Sequence, residues 1–244
     1  MRSIWIVACL IVLVASAIPQ RVEAGSGGDP RLRLFLADWM TEARGISGTS
    51  GAQFGSWSTN MLGFGYSYSF RDSRFTLMGS VLTGTQRAGT GSWAAGSLLG
   101  GSDTIWDSRL MYRIAESDRW SISAGLGWAG YNWSSGFTTR TEAFWSKGWT
   151  LNADLRLRLS DRLTGTARIQ YSPGNYTRLT SIFGDFTSHG TATMYDMSLR
   201  YRIADHWSAT LGYRWAQVNA GNVAPCPNCR FEWGGPRLQF QYSF

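Results

Sequence analysis

From residue 59 onward, apolar and polar residues alternate along most of this chain. Leu62, Phe64, Tyr66, Tyr68 and Phe70 are separated by Gly63, Gly65, Ser67 and Ser69. Trp149, Leu151, Ala153, Leu155, Leu157 and Leu159 alternate with Thr150, Asn152, Asp154, Arg156 and Arg158. Trp207, Ala209, Leu211, Tyr213 and Trp215 alternate with Ser208, Thr210, Gly212 and Arg214. A period of two turns successive side chains to opposite faces of a strand. Ten such strands are predicted, near 31–41, 59–70, 74–85, 104–115, 119–132, 148–160, 162–172, 191–203, 207–216 and 236–244. In the first, Leu32, Leu34 and Leu36 alternate well, but Asp38 then falls on the apolar face. A bulge or an early strand end is expected there.

Four short turns link these strands in pairs, and each contains an Asp, a turn former. The Asp residues at 72, 118, 161 and 205 recur every 43 to 46 residues, the length of a hairpin plus its connection. The other connections, near 43–58, 86–103, 133–147, 173–190 and 217–232, are long and rich in Gly, Ser, Thr and Asn. They are expected to be loops. Short turns alternating with long loops at the other end, with an even strand number, describe an outer-membrane barrel with both termini on the periplasmic side.

A soluble sandwich would also alternate, but its outer face would meet water and favour Lys and Glu. Here the polar face carries Arg, Ser, Thr, Asn and Gly, as a small barrel lumen does. On the apolar face Trp120 precedes Trp128, and Trp207 precedes Trp215, by eight residues. At about 3.4 Å per residue and a tilt of about 45°, that interval climbs roughly 19 Å. This is near the height of an apolar band whose rims attract Trp.

Composition agrees. The chain of 244 residues holds 13 Trp, 10 Tyr, 12 Phe and 29 Gly, an unusual mixture for a soluble enzyme. Its formal charge of +7 comes mostly from Arg. A basic soluble protein would suggest nucleic acid; Arg alternating with apolar residues along strands points to a lumen instead, and no nucleic-acid partner is expected. At the N-terminus, Arg2 precedes an uncharged apolar run from Ile4 to Ile18, with Val22 and Ala24 in place for signal-peptidase cleavage. The run is short for a spanning helix, and Cys9 lies inside it rather than after it, which argues against a lipoprotein. The expectation is a cleaved signal peptide over 1–24. An all-β domain follows over 25–244: a closed antiparallel up-and-down transmembrane β-barrel of about ten strands.

The chain ends in Leu238, Phe240, Tyr242 and Phe244, alternating with Arg237, Gln239, Gln241 and Ser243. This end resembles bacterial outer-membrane proteins in general. The resemblance implies that Phe240, Tyr242 and Phe244 form the signal read by the barrel-assembly machinery. The implied partners are that machinery and outer-membrane lipid, and a monomer is expected.

The polar face predicts a lumen lined by Arg109 and Arg113, Arg156 and Arg158, Arg168, Arg200 and Arg202, Arg214 and Arg237. Asp107, Asp154 and Asp196 share it. Arg113, Arg158 and Arg202 precede their short turns by similar distances and should form one level near the inner mouth. Two readings stay open: side-chain packing of a narrow interior, or a narrow anion-favouring passage. Cys226 and Cys229, in Cys-Pro-Asn-Cys, are expected to form a disulfide in an exported chain; two thiols alone do not make a metal site, and no metal or cofactor is expected. In strand number and loop layout the chain resembles the omptin proteases, which use acids and a His at the outer rim. The weak counterparts here are Asp103, Asp107, Asp185 and His189, without a match to that family's local motifs. His206 and Ser208 resemble the His-x-Ser element of barrel lipid hydrolases, but His206 fills the turn position held by Arg119 and Arg162 in sister hairpins. The expected function is therefore a non-enzymatic barrel, structural or surface-binding, with an omptin-type rim protease as the alternative.

Overall fold

The structure is a computed structural model that describes residues 32–244 apart from 48, 52, 72, 92–100, 137–140, 182–183 and 224–225. The leader expected over 1–24 and the turn residue Asp72 lie outside the described residues. Nine long strands come first: β1 (Leu32–Ile46), β2 (Gln53–Ser69), β3 (Phe75–Gly91), β4 (Ser102–Glu116), β5 (Trp120–Gly136), β6 (Thr141–Arg158), β7 (Leu163–Ser181), β8 (Gly184–Arg202) and β9 (Trp207–Asn219). A small ribbon of β10 (Asn222–Val223) and β11 (Cys226–Pro227) precedes the last strand, β12 (Arg230–Ser243). β1–β9 and β12 close into one antiparallel up-and-down barrel, with β12 paired to both β9 and β1. The ten strands and the pairing of first with last are as the alternation predicts.

The start of β1 and the end of β12 meet at the short-turn end, where the Phe244 amide donates to the Leu32 carbonyl at 2.9 Å. The turns at this end repeat one device. The carbonyls of Arg74, Arg119, Arg162 and His206 accept from the amides of Arg113, Arg158, Arg202 and Ser243, at 2.9, 2.6, 2.8 and 2.8 Å. Each turn is thereby tied to the strand that follows its hairpin. His206 thereby occupies the position that Arg119 and Arg162 hold in the sister turns.

Outward side chains form a belt at the turn end. On β5 it runs from Trp120 through Ile122 and Leu126 to Trp128, and on β6 from Leu157 through Leu155 and Leu151 to Trp149, all exposed. β2 repeats the interval from Phe70 to Leu62. Beyond the belt the strands continue, and the facing does not change: the same parity still points outward. The polarity reverses. Asn60, Thr83, Thr104, Asn132 and Lys147 now stand on the outer face, while Trp39, Trp57, Tyr131, Trp133, Phe144 and Trp233 point inward and are buried.

This reversal corrects the expected connections. Most of 173–190 is strand: β7 runs to Ser181 and β8 starts at Gly184. β6 begins at Thr141 and β2 at Gln53, inside stretches expected to be loops. Their polar residues lie on strand extensions where period-two pairing persists: some, such as Thr187, stand on the outer face, and others, such as Ser146, Asn175 and Thr177, are buried inside. Asp38 is a second correction. β1 passes through it without bulge or end, in register with Leu62 and Leu238. Its side chain faces outward at the edge of the belt, where the outer face turns polar.

One interruption falls in β7. Register shifts appear on both its flanks, at Ser172/Asn175 and at Lys147/Leu151. Pro173 has no N–H for the ladder, so the strand bulges there. Ser172 and Asn175 both return inward and are buried; Asn175 Nδ2 donates to Ser146 Oγ at 2.8 Å. Gly148 makes room for this turn of chain, since a Cβ there would sit 2.4 Å from Asn175 Oδ1.

Candidate functional site

The interior falls into three levels. The middle level, inside the belt, is an ion-paired layer. Strand alternation aims Asp107 and Arg109 from β4, Asp154 from β6, Arg168 from β7, Asp196 from β8, Arg214 from β9 and Arg237 from β12 into the same narrow space. Arg168 grips Asp154 with two hydrogen bonds, Nε to Oδ1 at 2.8 Å and Nη2 to Oδ2 at 3.1 Å. Asp196 accepts from Arg214 Nε at 2.8 Å and from Arg237 Nη2 at 3.0 Å, bridging the two cations. Arg109 Nη1 lies 3.2 Å from Asp107 Oδ2, an ion contact without hydrogen-bond geometry. The seven groups are almost fully buried. Buried charges of this kind are tolerable only when paired, because desolvation of each ion costs several kcal/mol.

The outer level is an aromatic core. Trp39 joins it to the ion layer: its ring lies over the Arg214 guanidinium at 5.4 Å, and its Nε1 donates to the Gly235 carbonyl at 3.1 Å. Above it Phe144 stacks on Phe231 at 4.1 Å between ring centroids, and Trp57 lies against Trp133 at 5.4 Å. Asp103 is enclosed in this level. It accepts from Trp57 Nε1 at 3.0 Å, from Trp233 Nε1 and Gln86 Nε2 at 3.4 Å, and from the Thr59 hydroxyl. The sequence gives this level away only by a change of parity. On β5 the aromatic positions move from even, Trp120 and Trp128, to odd, Tyr131 and Trp133, with no insertion between.

The third level is the mouth at the short-turn end. Here a cup of 430 Å³ is lined by Arg33, Arg113, Arg156, Arg158, Arg200 and Arg202 among others. Arg113 pairs with Glu116 at 2.5 Å, Arg158 with Asp161 at 2.8 Å, and Arg202 Nη2 donates to the Asp161 carbonyl at 2.6 Å. The predicted lumen residues thus divide into two groups. Arg109, Asp154, Arg168, Asp196, Arg214 and Arg237 belong to the buried layer, and Arg113, Arg156, Arg158, Arg200 and Arg202 to the mouth.

The rim residues weighed for proteolysis are not brought together. Asp103 and Asp107 face the interior and are buried. His189 and Asp185 are exposed on β8; His189 meets the Tyr176 ring on the outer face at 6.0 Å, and Asp185 pairs with Arg178. The sheet itself separates the two acids from the His. The hydrolase pair fares no better. His206 Nδ1 is engaged with the Ser243 carbonyl at 2.8 Å and its ring stacks on Tyr242, while Ser208 points into the barrel and is buried. Cys229 is buried and disulfide-bonded; the side chain of its expected partner, Cys226, lies outside the described residues. Among the described residues no group of three or more His, Cys, Asp and Glu side chains could hold a metal ion.

No protein-family model matches the chain, and no curated protein matches it in sequence. Among solved structures, the outer membrane protease OmpT from Escherichia coli is similar with a TM-score of 0.52 at 9% identity, over 88% of this chain and 97% of that one. The translocator domain of autotransporter NalP from Neisseria meningitidis gives 0.48 at 10% identity, over 90% of each chain. The attachment invasion locus protein Ail of Yersinia pestis gives 0.40 at 10% identity, over 88% of this chain and 99% of that one. At such identities the likeness is one of fold: this chain has the fold of a small bacterial outer-membrane β-barrel.

Proposed function

We infer that this chain is a non-enzymatic integral barrel of the bacterial outer membrane, exported by a cleaved leader over 1–24, and that it acts through its surface or as a structural element rather than as a pore. The observation that carries this is the filled interior. Trp39, Phe144, Phe231 and Trp233 are fully buried across the outer level, directly above a layer of mutually bonded Arg and Asp. Among the described residues, aromatic rings packed over ion pairs occupy the lumen, which supports a closed barrel over an open pore. A narrow anion-favouring passage is the second reading, favoured by the arginines of the inner mouth. Single-channel recording of the refolded protein in planar bilayers decides between them. The expected result is an absence of unitary steps. Steady anion-selective conductance, shifted toward cations in an Arg113→Gln, Arg158→Gln, Arg202→Gln triple variant, would establish the passage and overturn the closed barrel.

A further inference from the structure

We propose that the cup at the short-turn mouth is a binding site for a small, strongly hydrophilic oligophosphate presented from the periplasmic side. Three features point to this class. First, the cup is concave and of ligand size: 430 Å³, within the ~300–1,000 Å³ usual for small-molecule sites. Past Arg33, Arg156 and Arg200 a smaller cavity of 80 Å³ continues from it to the ion-layer residues Arg168, Asp196, Arg214 and Arg237.

Second, the charge is one-sided and of one chemical kind. Eight arginines and one histidine line the cup against four acids, with no lysine. Glu116 and Asp161 are taken up by Arg113 and Arg158 in the wall. Guanidinium forks match tetrahedral oxyanions with paired hydrogen bonds, and several converging forks suit several linked phosphates. With eight arginines against four acids the lining carries an excess of positive charge, which attracts an anion. A ligand of high negative charge density complements this excess better than one or two carboxylates can.

Third, the remaining inward-facing lining is hydroxyl and amide, including Ser121, Thr164, Ser208 and Gln241. The only apolar side chains among the lining residues, Trp120 and Trp207, belong to the outward belt at the rim. A ligand with an acyl chain or a large aromatic ring would find no apolar surface inside. The site therefore suits a phosphorylated, fully polar molecule and not a lipid.

The test uses inorganic triphosphate as the probe, titrated calorimetrically into the full-length mature barrel refolded in neutral detergent, at fixed ionic strength. Binding is expected to be at least tenfold tighter than that of sulfate or citrate. It should weaken at least tenfold in an Arg156→Gln, Arg200→Gln double variant and less in the Arg156→Lys, Arg200→Lys pair, which keeps the charge and loses the forks. Should the Gln pair fail to fold by near-ultraviolet circular dichroism, the single wall variant Arg202→Gln takes its place, with at least a threefold loss expected. Citrate binding as tightly as triphosphate overturns the assignment, as does triphosphate affinity unchanged in the variants that fold.

Discussion

Asp196 is buried and holds two guanidinium groups, so it is the residue on which the ion layer turns. Removing its charge leaves Arg214 and Arg237 facing each other unpaired. Asp196→Asn is expected to destabilise the barrel by about 3–5 kcal/mol, measured by urea unfolding of the refolded protein. Adding Arg237→Met to that variant should recover part of the loss, because the second cation then no longer needs a partner. Trp39 is the corresponding hinge of the aromatic level. Trp39→Ala should cost about 3–5 kcal/mol through the cavity it leaves, and Trp39→Phe less, since a ring still covers Arg214. If Trp39→Ala unfolds at the same urea concentration as the parent, the outer level is not a packed core.

At the scale of strands, the closing seam is held differently from the hairpins. Every other neighbouring barrel pair is joined by ten residues or fewer, but β1 and β12 come from opposite ends of the chain. Above the belt, Arg44 sits directly opposite Glu232 and bonds it at 2.6 Å, and Arg230 Nε lies 2.8 Å from the same carboxylate, an ion contact without hydrogen-bond geometry. Arg44 is half exposed, so Arg44→Gln is expected to cost less than about 1 kcal/mol and to matter less as salt rises. The seam rests mainly on its backbone ladder. Phe244 ends that ladder, and its burial is worth only about 1.5–3 kcal/mol. Deleting it should lower the amount of barrel inserted in cells much more than the yield of refolding into detergent. Equal losses in both assays would make Phe244 a packing residue and not an assembly signal. The belt portion of each strand was legible because an apolar outer face over a polar lumen gives the strongest period-two contrast a chain can carry. The strand extensions were not. Thr187, Ser188 and Thr191 on β8 resemble loop residues in composition, and the inward Ala192 and Met194 are too few to show a period by themselves. The ion layer was legible as a set of residues but not as pairs, because which Arg meets which Asp depends on stagger between strands. The cup was foreshadowed by Arg113, Arg158 and Arg202, which precede three of the four short turns, whereas the enclosure of Asp103 by two indoles had no local trace.

The whole molecule is two proteins in one set of strands: below, apolar outside and polar inside; above, the reverse. The two zones should be separable by spectroscopy. Trp120, Trp128, Trp149 and Trp207 are exposed on the belt, while Trp39, Trp57, Trp133 and Trp233 are buried in the core. In vesicles of lipids with brominated acyl chains, the belt tryptophans are expected to be quenched by contact and the core ones spared. Trp128→Phe should then lower the quenched fraction of the emission and Trp233→Phe should raise it. The opposite ranking would place the membrane elsewhere on the barrel.

The abrupt change of outward polarity also determines how the protein and its bilayer settle their thickness. Sinking the barrel by one two-residue step, about 5 Å along the membrane normal, would draw Asp38, Asn60, Thr83, Thr104 and Lys147 into hydrocarbon together. At roughly 1–3 kcal/mol for each polar group submerged, the step costs on the order of 5–15 kcal/mol. Thinning the surrounding lipid costs only fractions of a kcal/mol per Å of mismatch. In a bilayer thicker than its belt, this barrel keeps its depth, and the lipids around it shorten to meet it.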